Sequence, residues 1–312
     1  MADSNSTIPV IEFDNIGVHR QSKSVGKNEI KHVGNLMKEA FTDVGFCYLK
    51  NHGIEQDMVD KYMDISREFF EQPEKEKTKH VRKKDQNFGW VGVETEKLNQ
   101  ERPGDLKEAF NFHPADDPND WPSVTFQQAS RDMFLKCTEL SYRVLDVLSV
   151  GLGLGDDFMR NAHKDIGTKD NPTTLRSAYY PPIPSNLDIK SGQIRLGEHT
   201  DWGTITLLFQ DDIGGLEVEI PGKGFVPVTP IPGTIVVNTG DLMQRWTADK
   251  LLATRHRVVF PNKDEKKNKS RQSAVFFVDP HNEYIVECLD GSKKYEPISI
   301  LEYLAYKFSL TY

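Results

Sequence analysis

Apolar positions recur three or four residues apart in several segments of the chain, with polar residues between them. This spacing places the apolar side chains on one face of an α-helix. It predicts helices over residues 28–44, 57–70, 124–151 and 298–310. A glycine or proline follows the first three of these segments closely, as is usual where a helix stops.

Short apolar runs predict strands, and most of them follow residue 171. The predicted strands are 8–13, 46–49, 175–180, 204–209, 216–220, 234–238, 257–260 and 273–278. Glycine- and proline-containing turns separate the later runs, and regularly spaced short strands are typical of an all-β barrel or sandwich.

The pattern therefore predicts a mainly β protein with flanking α-helices. Residues 1–170 are expected to form a mostly helical N-terminal region, and residues 171–312 a β core with a C-terminal helix. The two regions are expected to pack as one compact unit. Residues 85–122 are rich in glycine, proline and asparagine, so this segment is predicted to be irregular.

The composition narrows the class of protein. The chain has 312 residues and a formal net charge of −8, and an acidic chain without a basic stripe is not expected to bind nucleic acid. No apolar run approaches the roughly 20 residues that cross a bilayer, so no membrane segment is expected. The N-terminus lacks the features of a secretory signal, and three widely spaced cysteines are typical of reduced thiols. We therefore expect a cytoplasmic protein.

His199 and Asp201 form the sharpest local signal for chemistry. Residues two apart in an extended chain point to the same face, so both side chains can reach one metal ion. His256 lies 55 residues after Asp201 and begins another apolar run. Two histidines and one carboxylate form the facial triad of non-haem Fe(II) oxygenases, which leaves the other coordination positions open. Zinc could also occupy such a site, but no zinc-hydrolase helix motif accompanies it.

Arg271 and Ser273 share one face of a predicted strand. A guanidinium group matches a carboxylate in a bidentate fashion, and a hydroxyl can add one more hydrogen bond. Tyr180 closes another predicted strand and could donate from its phenol. The three residues predict a binding site for a carboxylate.

Several motifs, in this order along the chain, resemble those of the Fe(II)/2-oxoglutarate dioxygenase superfamily, and within it the isopenicillin N synthase-like branch. They are Ile8-Pro9-Val10-Ile11, Gly45-Phe46-Cys47-Tyr48, Asn51-His52-Gly53-Ile54, Tyr179-Tyr180-Pro181-Pro182, His199-Thr200-Asp201-Trp202-Gly203, Gly214-Gly215-Leu216, Asn238-Thr239-Gly240-Asp241 and Arg255-His256-Arg257-Val258. The resemblance implies a double-stranded β-helix (jelly-roll) core. It also implies iron ligands at His199, Asp201 and His256. Finally, it implies that 2-oxoglutarate binds Arg271 and Ser273, with Tyr180 assisting.

The resemblance further implies an oxidoreductase that uses Fe(II), O₂ and 2-oxoglutarate as co-substrate, with ascorbate as an optional reductant. In this family a ferryl species abstracts a hydrogen atom, and hydroxylation, desaturation or oxidative ring closure follows. Two alternatives stay open from the sequence. One is a 2-oxoglutarate-independent iron oxidase of the same fold, and the other is a non-catalytic jelly-roll binding protein.

Four further residues are candidates for contact with a small-molecule substrate. Arg195 has the strand parity of His199, so it is expected either to face the barrel interior and bind an anion or to lie at the strand edge. Phe277 has the parity of Arg271, and Phe88 and Phe112 lie in the segment that covers the substrate in this family. An inward Arg195 favours a carboxylated substrate from natural-product biosynthesis. The protein is expected to be a monomer or a weak homo-oligomer.

Overall fold

The computed structural model of the chain describes residues 8–20, 26–83, 86–97, 99, 101–116, 121–183, 189–261 and 269–311. The helices in these ranges are α1 Lys27–Asp43, α2 Gln56–Phe70, α3 Glu74–Lys77, α4 Val124–Gly151, α5 Phe158–Ala162, α6 Asp241–Trp246 and α7 Ile300–Thr311. The strands are β1 Val10–Glu12, β2 Phe46–Lys50, β3 Gly89–Val91, β4 Glu108–Phe112, β5 Thr174–Tyr180, β6 Leu196–His199, β7 Ile205–Gln210, β8 Leu216–Ile220, β9 Gly224–Pro227, β10 Thr234–Thr239, β11 His256–Val258, β12 Arg271–Val278, β13 Ile285–Val286 and β14 Ile298–Ser299.

The strands form a large and a small sheet that face each other as a jelly roll. The large sheet has the order β1-β2-β10-β7-β12-β5-β4-β3, and the small sheet has the order β6-β11-β8-β9. Only β1 and β2 run parallel among the described strand pairs of these sheets. Strands β13 and β14 pair separately. The predicted mainly β fold with a jelly-roll core is confirmed.

Each face of the large sheet belongs to a different core. The inner face, which looks toward the small sheet, buries Leu208 and Val236 against Val218 and Val258 of the small sheet. The outer face packs against α1, α2 and α4 through a larger cluster. That cluster includes Met37, Phe41, Tyr62, Phe69, Phe134, Leu140, Leu175, Leu207 and Phe276. Because side chains alternate along a strand, neighbouring residues enter different cores.

The helical predictions agree with the structure within two residues at every end, and α4 occupies the predicted segment. The prediction that residues 85–122 are irregular is wrong over β3 and β4, which extend the large sheet at one edge. Strands β1 to β4 come from the region expected to be mostly helical, so both predicted regions supply strands to the same sheet. Among the described helices, none has the length and apolar character required to cross a membrane.

Candidate metal centre and carboxylate pocket

The pairing of β6 with β11 brings the two histidines together. His199 ends β6, His256 begins β11, and the two residues are direct partners in the antiparallel ladder. Asp201 follows two residues after β6, and its Oδ1 lies 3.8 Å from Nε2 of His199 and 3.6 Å from Nε2 of His256. One atom from each of the three side chains lies within 4.8 Å of the others. The predicted triad is therefore assembled in space.

Backbone carbonyls fix the orientation of both imidazole rings. Nδ1 of His199 lies 2.8 Å from the carbonyl oxygen of Gly197, and Nδ1 of His256 lies 3.1 Å from that of Thr254. A ring that donates from Nδ1 presents an unprotonated Nε2, which is the form that binds a metal. Burial lowers the pKa of His199, and the neighbouring His256 lowers it further. The site therefore favours the neutral imidazole that coordination requires.

The carboxylate of Asp201 is held through one oxygen. Oδ2 accepts hydrogen bonds from Oγ1 of Thr206 at 2.6 Å and from Nδ2 of Asn238 at 2.7 Å. Oδ1 is left to face the two Nε2 atoms. Burial alone would raise the pKa of Asp201, but both imidazoles and these two hydrogen bonds lower it. Asp201 is therefore an ionised acceptor at the pH of the cell.

This donor set fits a divalent first-row metal. Two neutral nitrogens and one carboxylate oxygen converge from one side, and each side chain has its remaining polar atom engaged by the protein. That arrangement of outer hydrogen bonds is usual for metal ligands, and the two-histidine, one-carboxylate set is the one that suits non-haem iron.

The predicted carboxylate-binding residues also lie together on the inner face. Arg271 pairs directly with Tyr180 across β12 and β5, and Ser273 pairs with Gln210 across β12 and β7. The guanidinium of Arg271 lies over the Tyr180 ring at 4.9 Å, and its nitrogens lie 3.5 Å from Oγ of Ser273 and 3.3 Å from Oε1 of Gln210. Arg271 is buried, and its Nε has no hydrogen-bond partner among the described residues. A buried cation whose hydrogen-bond partners are neutral fits an anionic ligand. We call Arg271, Ser273 and Tyr180 the carboxylate pocket.

Arg195 lies immediately before β6 and is fully buried. Its Nη2 donates to the carbonyl oxygen of Lys269 at 2.9 Å, two residues before Arg271. Burial and the charge of Arg271 lower the pKa of Arg195 to about 10. Of the two alternatives from the sequence, the structure shows the interior position.

A polar wall, formed by Glu96, Lys107, Asn111 and Arg176, occupies another part of the inner face. Arg176 makes a bidentate ion pair with Glu96 at 2.9 and 3.0 Å, and its Nε donates to Oδ1 of Asn111 at 2.7 Å. Lys107 also pairs with Glu96, and its positive charge contributes to the lowered pKa of His199. Phe277 is half-buried on this face, directly paired with Thr206.

Phe88 and Phe112 do not belong to the site, so their prediction as substrate residues is wrong. Both pack in the outer-face core, where Phe112 lies 5.1 Å from Trp121 and 5.6 Å from Phe134 between ring centroids. Phe88 contacts the same Trp121 ring at 4.9 Å. Phe112 pairs with Leu175, whose side chain also enters the outer core, so strand alternation turns it away from the metal residues.

The residues that sequence reasoning missed are those that support the ligands. Asn238 lies in a motif quoted above, and its spacing in a strand could have suggested an inward side chain. The tight turn after it has a steric reason, since a Cβ on Gly240 would lie 2.8 Å from the carbonyl oxygen of Asp201. Thr206 carried no separate signal, nor did the pairing of Glu96 with Arg176, which are 80 residues apart.

Comparison with known proteins gives matches over most of the chain. Residues 8–128 match the family described as non-haem dioxygenase in morphine synthesis N-terminal, and residues 172–280 match the 2OG-Fe(II) oxygenase superfamily. A 2-oxoglutarate-Fe(II) type oxidoreductase of Metarhizium rileyi is 33% identical over 304 residues, covering 88% of this chain and 84% of that protein. A proline hydroxylase of Petromyces alliaceus is 34% identical over 270 residues, covering 81% and 82% respectively.

A solved structure supports the same relationship. The crystal structure of full-length Neurospora crassa T7H in complex with alpha-KG superposes with a TM-score of 0.85 at 31% identity. The superposition covers 99% of this chain and 98% of that one.

Proposed function

The chain belongs to the 2-oxoglutarate–Fe(II) oxygenase superfamily, and on that premise we propose the roles of its site residues. His199, Asp201 and His256 bind Fe(II). Arg271 and Ser273 bind the distal carboxylate of 2-oxoglutarate, with the phenol of Tyr180 assisting. The protein is an Fe(II)- and 2-oxoglutarate-dependent dioxygenase that oxidises a small molecule. When bound, iron and 2-oxoglutarate supply the oxidising power, by coupling reduction of O₂ to decarboxylation of the co-substrate.

The observation that carries this proposal is the convergence of three metal-binding atoms between the two sheets, together with a buried cluster of carboxylate-binding side chains on the inner face of the large sheet. The hydrogen bonds to Gly197 and Thr254 orient the imidazoles, and those from Thr206 and Asn238 orient the carboxylate. The three metal-binding side chains are largely buried, with exposures of 13% for His199, 6% for Asp201 and 10% for His256. The protein's part in the reaction is to hold iron, co-substrate and substrate in fixed relative positions.

We propose further that the substrate is a small polar molecule with a carboxylate or similar acidic group. The polar wall carries two cations, Lys107 and Arg176, and one anion, Glu96, so the wall itself has a net charge of +1. The half-buried ring of Phe277 supplies an apolar surface on the same inner face. This combination supports an amphipathic, acidic substrate of natural-product biosynthesis that undergoes hydroxylation, desaturation or ring closure.

A cytoplasmic location is part of the proposal, and the three buried, unpaired cysteines support it. We propose that the protein acts as a monomer or a weak homo-oligomer.

The test is a turnover screen of small carboxylic acids with Fe(II), 2-oxoglutarate, ascorbate and O₂. A substrate should stimulate formation of succinate, and Arg176→Met should raise its KM about tenfold or more while the KM for 2-oxoglutarate stays constant. Arg160→Met is the matched control, because Arg160 makes a similar bidentate ion pair with Asp146 outside the site. An unchanged substrate KM in Arg176→Met would refute the role of the polar wall.

A further inference from the structure

Two arginines are buried together at one end of the inner face. Arg195 and Arg271 are 0% and 1% exposed, and Arg271 is close enough for its charge to act on Arg195. Buried cations of the same sign oppose folding unless an anion compensates them. A contribution to stability therefore does not explain why two arginines are buried side by side.

The hydrogen bonds of the two guanidinium groups are incomplete. Arg195 makes its one hydrogen bond within the described part of the chain through Nη2, to the carbonyl oxygen of Lys269, while its Nε and Nη1 are buried without a partner there. Nε of Arg271 is also buried without a hydrogen-bond partner among the described residues. Buried donors are almost always paired, so three unpaired guanidinium nitrogens in one place indicate a site for an acceptor with several lone pairs.

The nearby carboxylate of Asp211 does not pair with the three unpaired guanidinium nitrogens. Its Oδ1 accepts from the backbone N–H of Ile213 at 3.0 Å, and its Oδ2 accepts from that of Gln272 at 2.5 Å. These bonds hold the loop after β7 instead of pairing with a guanidinium. Counting Arg195, Arg271 and Asp211, the pocket has a net charge of +1, which one carboxylate neutralises.

Two anions could bind Arg195: the distal carboxylate of 2-oxoglutarate and the carboxylate of the primary substrate. The position of Arg195 in the fold favours one of them. Arg195 is four residues before His199, and it contacts the chain two residues before Arg271. Tyr180 and Arg271 lie at one end of the β5–β12 ladder. Phe277 and Thr174 form the last pair at its other end, beside Thr206 and the metal residues. Arg195 therefore lies at the carboxylate pocket, away from the end at which the substrate would meet the metal.

We propose that Arg195 is the second cation of the co-substrate pocket and donates to the distal carboxylate of 2-oxoglutarate. This inference rests on the proposed function, and it replaces the expectation that Arg195 binds the primary substrate. Arg195 is a binding residue of a two-arginine pocket, in which Arg271 is supported by Ser273 and Tyr180 while Arg195 approaches from the small sheet.

The experiment is calorimetric titration of the anaerobic, Fe(II)-loaded protein with 2-oxoglutarate and, separately, with 2-oxopentanoate. The second ligand keeps the 2-oxo acid and the chain length but lacks the distal carboxylate. In Arg195→Met, the Kd for 2-oxoglutarate should rise about tenfold to a hundredfold, while that for 2-oxopentanoate stays constant. Arg195→Lys keeps the charge and should recover part of the affinity, and Arg160→Met should bind both ligands like the wild type.

A second measurement excludes a merely structural role. Removing one of two buried like charges should leave the thermal midpoint of the ligand-free protein unchanged or raised, whereas loss of a structural residue would lower it. An unchanged Kd for 2-oxoglutarate in Arg195→Met would overturn the inference, and so would equal weakening for both ligands. If the wild type itself does not bind 2-oxoglutarate, the proposed function fails as well, so the two failures are distinguishable.

Discussion

Replacing Thr206 by valine removes one hydroxyl group from the support of the metal centre and keeps the size and β-branching of the side chain. The hydroxyl is buried and donates to Oδ2 of Asp201 at 2.6 Å. A hydrogen bond to a charged group contributes about 1.5–3 kcal/mol, and the loss of such an outer partner typically weakens metal binding about tenfold to a hundredfold. Asn238 still holds the same oxygen at 2.7 Å, so we expect a loss of Fe(II) affinity near tenfold, about 1.4 kcal/mol.

The assay is an anaerobic Fe(II) titration of the wild type and of Thr206→Val. Thr239→Val is the matched control, because Thr239 is also buried in β10 and donates from its hydroxyl to the carbonyl oxygen of Leu252 at 2.7 Å, without contact to Asp201. Both variants lose a buried hydroxyl hydrogen bond and should lose some stability. Equal Fe(II) affinity in Thr206→Val and the wild type would refute the reasoning, and so would equal weakening in both variants.

Other predictions follow from the site and its surroundings. His256→Ala should abolish turnover and weaken Fe(II) binding, and full turnover in this variant would contradict the ligand assignment. Phe112→Ala should destabilise the protein by about 3–5 kcal/mol, measured by urea denaturation, while the KM values stay constant, because Phe112 belongs to the outer-face core. A changed substrate KM would instead indicate that Phe112 contacts the substrate. Burial alone would raise the pKa of Glu198, but hydrogen bonds from Arg102 and Arg257 lower it from 4.5 to about 2. Because the folded-state pKa is lowered, Glu198 stabilises the protein above pH 4.5, and this contribution is lost as the pH falls towards 2. Glu198→Gln should therefore be less stable than the wild type at pH 7 and should converge with it near pH 2, and a constant difference in unfolding free energy would oppose this.

Local patterns predicted those parts of the fold whose burial repeats regularly along the chain. Helix α4 keeps one apolar stripe over 28 residues, so its period identifies it from sequence alone. The strands β8 and β12 are continuous or alternating apolar runs of the usual kind. Strands β3 and β4 were missed because they lie in a stretch rich in turn-forming residues. They are stabilised by strand pairing, β4 with β5 and β3 with β4.

For the site, short-range spacing was sufficient where two functional residues share a strand or a turn. His199 with Asp201 and Arg271 with Ser273 are such pairs, and the side chains of each pair lie within 4 Å of each other. Contacts that depend on the order of the strands in a sheet could not be predicted from local sequence patterns. The assignment of Phe112 to the substrate failed because the face that a strand residue occupies follows from its partners, here Leu175.

The most direct test of the central claim is an anaerobic titration of the purified protein with Fe(II) and then 2-oxoglutarate, followed by visible absorption. We expect a charge-transfer band that requires both ligands, saturates at one iron per chain and needs much more 2-oxoglutarate in Arg271→Met. Tight iron binding without a band on addition of 2-oxoglutarate would contradict the assignment of the carboxylate pocket, and absence of iron binding would contradict the assignment of His199, Asp201 and His256 as ligands.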